Sequence, residues 1–139
     1  MSTSASESFA LPPHVVSLTS RVDFATTLAR LEAAFQSRHI TLFAKVDQAK
    51  AASDSGTTLR PTVLLLFGNP AAGTPIMAAN PHAAVELPLK VVVWQDNAGL
   101  VHVDYSDVTQ LLTRDYGIDR ALFEKLAQIP AMLRSVVTE

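Results

Sequence analysis

The stretch LKVVVWQDNAGLVHVDY, residues 89–105, decides how the chain is read. Its two ends, Leu89 to Trp94 and Leu100 to Tyr105, are rich in branched and aromatic residues. Between them, Asp96-Asn97-Ala98-Gly99 carries the residue types that tolerate a tight reversal. This is a β-hairpin, so the sheet holds at least one antiparallel pair. Working toward the N-terminus, TVLLLF at 62–67 is continuously apolar between Pro61 and Gly68. A run this short and β-prone is expected as a strand covered on both faces, at the centre of a sheet or beneath a second subunit. Ile40, Leu42, Ala44 and Val46 alternate with Thr41, Phe43 and Lys45, which has the two-residue period of another strand.

Helices fill the intervals. Val15 to Leu18 reads as a first strand, and Ser20-Arg21-Val22-Asp23 resembles a capping box with Ser20 as the cap. The helix that follows places Phe24, Leu28, Leu31 and Phe35 on one face and leaves Arg30, Glu32 and Arg38 to water. Asp47 to Ala52 gives a short helical turn ending near Gly56. In Asn69-Pro70-Ala71-Ala72-Gly73-Thr74-Pro75, either X-Pro step can open a helix, and Thr74 as cap with Pro75 first suits Ile76 to Ala79. A last helix is expected from Asp119, stapled by Ile118 and Phe123, with its stripe of Leu122, Leu126, Ile129, Leu133 and Val136 kinked or broken at Pro130. The fold class is therefore α+β: a mostly antiparallel sheet in the order β-α-β-β-β-β-α. Helices pack on one face, and short helical insertions precede the third and fourth strands.

Composition narrows the function. With 48% apolar and 17% charged residues, a domain core is available, and residues 14–139 are expected as one domain behind a frayed, disordered tail over 1–13. The tail lacks the basic start and apolar core of a secretory signal, and no apolar run is long enough to span a bilayer, so a soluble, cytoplasmic protein is expected. The absence of cysteine removes disulfides, thiol nucleophiles and cysteine metal sites. Eleven basic and thirteen acidic residues are scattered without a basic patch, which argues against nucleic acid as partner.

One ordered set of residues is familiar. Asp47, Ala52, Gly56, Leu59-Arg60-Pro61-Thr62, Phe67-Gly68-Asn69-Pro70, Gly73-Thr74-Pro75, Leu87-Pro88-Leu89 and Trp94 together resemble the bacterial and archaeal family called domain of unknown function 302. The resemblance spans about Val15 to Ile118. It implies a TATA-binding-protein-like sheet-and-helix fold, usually homodimeric, with no established activity and no implication of DNA binding. Two departures stand out: Gln48 replaces the histidine the family usually has after its aspartate, and Ser106 replaces the asparagine between Tyr105 and Asp107.

Two groups of residues could carry chemistry. Asp47 and Arg60 each end a predicted strand. Either they orient and grip an anionic ligand, or they form a structural ion pair. Gly68, Asn69, Gly73 and Thr74 place small residues and backbone amides at a strand-to-helix junction, where an anion can bind; the plainer reading is a rigid proline turn. Neither a Walker loop nor a dinucleotide fingerprint is present. His14, His39, His82 and His102 have no chelating spacing, so no metal site and no cofactor is expected, although a haem on a single histidine stays open. Trp94 and Tyr105 suit core packing, a dimer interface or ligand stacking, and Asp104 and Asp107 look like a solvated strand end. No serine lies in a nucleophile elbow.

Three functions remain. The favoured one is a ligand-binding or regulatory homodimer with a polar cleft around Asp47, Arg60 and Asn69, taking a small anionic metabolite. The alternatives are a structural or interaction module without ligand and, less favoured, an acid/base enzyme using Asp47.

Overall fold

Strand alternation resolves into a five-stranded antiparallel sheet in the computed structural model, which describes residues 8–139. The strands are β1 (Val15–Thr19), β2 (Thr41–Asp47), β3 (Thr62–Gly68), β4 (Leu89–Gln95) and β5 (Val101–Ser106), in the spatial order β1-β5-β4-β3-β2. The hairpin turn is closed by Asp96, whose Oδ1 accepts from the amides of Ala98 and Leu100 at 2.9 Å each, while Gly99 takes the positive φ of 88°.

Helix α1 (Phe24–Ser37) lies over β4 and packs on α6 (Ile129–Thr138). Between them is the core: Phe35 and Phe67 stack with centroids 4.5 Å apart, and Leu31, Leu65, Val91, Val93, Val103 and Leu133 are wholly buried. β3 shows the consequence of having helices on one side only. Val63, Leu65 and Phe67 are buried under the helices, while Leu64 and Leu66 on the second face are only half-buried. The strand expected to be covered on both faces is thus fully covered on one.

Four local expectations are corrected. The cap of α1 is Asp23, which accepts from the Thr26 amide at 2.7 Å; the Ser20 hydroxyl turns inward to the Thr27 hydroxyl at 2.7 Å and takes the Val22 amide at 3.3 Å, ahead of the helix. Thr74 is not a cap. Asn69 accepts from the Ala71 amide at 2.9 Å, and α3 (Pro70–Ala79) runs through both prolines, with Thr74 donating to the Pro70 carbonyl at 2.7 Å. A short helix α4 (Val108–Arg114), capped by Asp107, follows the hairpin where none was expected. The C-terminal segment breaks beside Pro130, as the proline suggests, but no α-helix starts at Asp119. Asp119 caps a single 3-10 turn, α5 (Glu124–Ala127) follows, and α6 restarts with Pro130 in its first turn, leaving Leu122 41% exposed.

Of the other short elements, α2 (Gln48–Asp54) follows β2 where the sequence suggests, and the 3-10 turn before β4 is new. It spans Pro81–Glu86 and links α3 to β4 through a cis Leu87–Pro88 bond. Of the tail expected over residues 1–13, residues 1–7 lie outside the described residues. Phe9 sets its ring edge-on to Trp94, 6.1 Å away. Among the described residues no helix is long and apolar enough to cross a membrane.

Candidate functional site

β3 separates the residues expected to share a cleft. Asp47 pairs with Val63 at the start of β3, and Arg60 lies two residues before that strand; Gly68 and Asn69 lie at its far end. Five extended residues put those ends roughly 17 Å apart. A single polar cleft joining Asp47, Arg60 and Asn69 is therefore not formed, because the strand's length holds them on opposite rims of the sheet.

At the first rim, Asp47 is exposed and caps α2, its Oδ1 accepting from the Lys50 amide at 2.9 Å. Gln48, the position that departs from the family pattern, is the first residue of that helix. The Arg60 guanidinium lies 5.4 Å from the Phe9 ring centre and 5.7 Å from that of Trp94, a cation–π arrangement. On the same open face of the sheet, His102 stacks on Trp94 at 4.3 Å and bonds Asp96 through Nε2 at 2.8 Å. That bond, more than any other contact, holds the Asp96 carboxyl below its ordinary value. Trp94 Nε1 donates to Asp104 Oδ2 at 2.8 Å, and Asp104 Oδ1 is shielded without a partner among the described residues. Asp104 is thus part of a side-chain network, not a solvated strand end. Tyr105 faces the opposite way into the core, where burial pushes its hydroxyl pKa up.

At the second rim the chain encloses space. The start of α3, the Leu87–Pro88 segment and the break between α5 and α6 surround a cleft of about 800 Å³, within the size range of small-molecule sites. Gly68, Asn69, Gly73 and Thr74 all line it. The rest of the lining is chiefly carbon, from Ile40, Phe43, Met77, Leu87, Ile129 and Met132 among others, with Arg38 and Lys125 as its charged members. Among the described residues no histidine and no acidic residue lines it, and no three His, Asp or Glu side chains gather as a metal would require. A β-bulge between Leu42 and Ala44 leaves Phe43 half exposed at the mouth. Opposite, Tyr116 ties the 3-10 turn behind the cleft: its hydroxyl donates to Glu86 at 2.6 Å and its carbonyl accepts from Asn80 at 3.0 Å.

The sequence pattern of a domain of unknown function, DUF302, matches residues 16–138. The chain belongs to the DUF302 family. An uncharacterised conserved DUF302 protein from Bacillus stearothermophilus has the same fold, with a TM-score of 0.75 at 22% identity over 91% of this chain and 97% of that one. The DUF302 chain is also 33% identical over 100 residues to a protein named fluoride-specific ion channel FluC 1 from Brucella suis biovar 1 (strain 1330). The same identity and length hold for a protein of the same name from Brucella abortus biovar 1 (strain 9-941). Those 100 residues are 72% of this chain, and the chain spans only 39% and 37% of the two relatives' lengths.

Cleft residues from outside the Gly68 to Thr74 segment escape sequence reading. Arg38 looks like one more solvated residue of α1, and Lys125 lies on the polar side of the last expected helix, ahead of the break at Pro130.

Proposed function

We propose that this DUF302 chain is a ligand-binding, regulatory domain acting as a homodimer, with its ligand held between α3 and the α5–α6 break. The carrying observation is the 800 Å³ cleft, an apolar pocket rimmed by a few polar groups on rigid elements. The longer relatives support a regulatory role, because a unit recurring within proteins named as channels suits sensing better than free-standing catalysis. Fluoride itself suits this cleft poorly, since a small, strongly hydrated ion needs converging donors and the walls are mostly carbon. An acid/base role for Asp47 draws little support, because its carboxylate is exposed and serves as a helix cap.

The second face of the sheet favours self-association. Val46, Leu64, Leu66 and Val92 present apolar side chains there that the helices do not reach.

The test is a screen of small anions and apolar acids, with fluoride included, read as thermal stabilisation that rises with ligand concentration. A hit is then mapped by amide chemical shifts. Movement confined to Gly68, Asn69 and Gly73 supports the reading, and a screen without a hit leaves the interaction module as the better description.

A further inference from the structure

We infer that the cleft takes an amphipathic monoanion: an aliphatic carboxylate whose chain lies along the apolar walls and whose head reaches Arg38 and Lys125. This rests on the ligand-binding reading above and adds the chemical class.

Two observations carry it. The first is the lining. Ile40, Phe43, Met77, Leu87, Ile129 and Met132 offer a ligand carbon, and the side-chain donors are confined to exposed positions at Arg38, Asn69, Thr74, Lys125 and Gln128. Thr74 already donates its hydroxyl to the Pro70 carbonyl, and Asn69 accepts from the Ala71 amide through its oxygen, which leaves its side-chain N–H groups as neutral donors at the rim. A fully polar anion such as phosphate would lose its water to walls that cannot replace it. The second is charge. Among the described residues, both charged lining residues are cationic, neither has an ion-pair partner, and no carboxylate lines the cleft to repel an anion. A neutral hydrophobe would leave those two cations unused. An apolar tail with one negative end uses both parts of the site.

The experiment is titration calorimetry on the full chain with hexanoate, octanoate and decanoate, against decanol, acetate and inorganic phosphate, with amide shifts locating each probe. Affinity is expected to rise up to about fourfold per added methylene. Decanoate should bind several-fold tighter than decanol. Exchanging both exposed cations, in Arg38→Gln with Lys125→Gln, should weaken decanoate roughly three- to tenfold without weakening decanol. Gly73→Phe, which puts a ring into the cleft beside Leu87 and Met77, should weaken binding of every chain length at least tenfold. The Gln pair serves if the Phe variant does not fold.

Decanol binding as tightly as decanoate, or acetate and phosphate matching it, overturns the amphipathic anion while leaving a ligand cleft. A cleft that takes none of the probes, with Met77→Glu turning a dimer into monomers, overturns both readings and makes this surface a contact between copies.

Discussion

Gly73 shows how one residue can serve a site at the expense of its helix. Its backbone is ordinary α-helix, and a Cβ placed there would meet Leu87 and Met77 at 3.7 and 3.8 Å, which is normal van der Waals contact. Nothing in the local geometry demands glycine, so Gly73→Ala should stabilise the protein by about 0.5–1 kcal/mol in urea titration. What glycine contributes is open space beside the cleft. Asp96 is a different case, because it acts through charge. Its carboxyl is held below the ordinary 3.8, chiefly by its bond to His102 and further by the amides of Leu100 and Ala98. A carboxylate with a depressed folded pKa adds stability above its unfolded pKa and loses it as pH falls through the folded value. Melting temperature should therefore fall as pH drops below about 4. Asp96→Asn should flatten that acid limb, and equal acid slopes in the two proteins would show that the His102 contact carries no linkage.

At the scale of elements, α3 depends on its first residues. Asn69→Ala removes the bond to the Ala71 amide and should cost about 1 kcal/mol in urea unfolding, with Asn69→Ser restoring most of it. A loss shared equally by Ala and Ser would assign the effect to something other than capping. The same helix marks where sequence reading stops. Pro70 and Pro75 each announce a possible helix start, and only tertiary packing joins them into one helix with Ala72 and Ile76 buried. Features closed within a few residues are legible: the Asp96 to Gly99 turn, the α1 stripe of Leu28, Leu31 and Phe35, and the Asn69 to Thr74 junction. Ser20 is misread because its hydroxyl meets the side chain of Thr27 and the amide of Val22, ahead of the helix, and leaves the first-turn amides to Asp23. The cleft is illegible for a related reason. Its walls come from residues 38–43, 68–77, 87–89 and 125–132, which the sheet and the α5–α6 break bring together. Asp47 and Arg60 are at one end of β3, as their positions suggest, but seven residues of extended strand carry Asn69 to the other.

The whole molecule has two unlike sides, and their separation makes assembly and ligand binding independently testable. The helices seal one face of the sheet and shape the cleft on that side, while the other face leaves Leu64, Leu66 and Val92 half exposed at the middle strands. If pairing of two copies covers the second face, sedimentation equilibrium will give twice the 14.9 kDa chain mass, and Leu66→Lys will bring it to the single value. A lysine directed at its own copy across a dyad places like charges together in an apolar contact, which is unfavourable on both counts. Leu66 pairs with Lys90 and Ala44 on that open face, away from Phe67 and the core, so circular dichroism should show the variant folded. Because Leu66 does not line the cleft, ligand-dependent stabilisation should survive in the monomeric variant. Loss of both together would mean that binding requires the paired form, whereas a wild-type chain sedimenting as a monomer would remove the homodimer and leave the cleft standing alone.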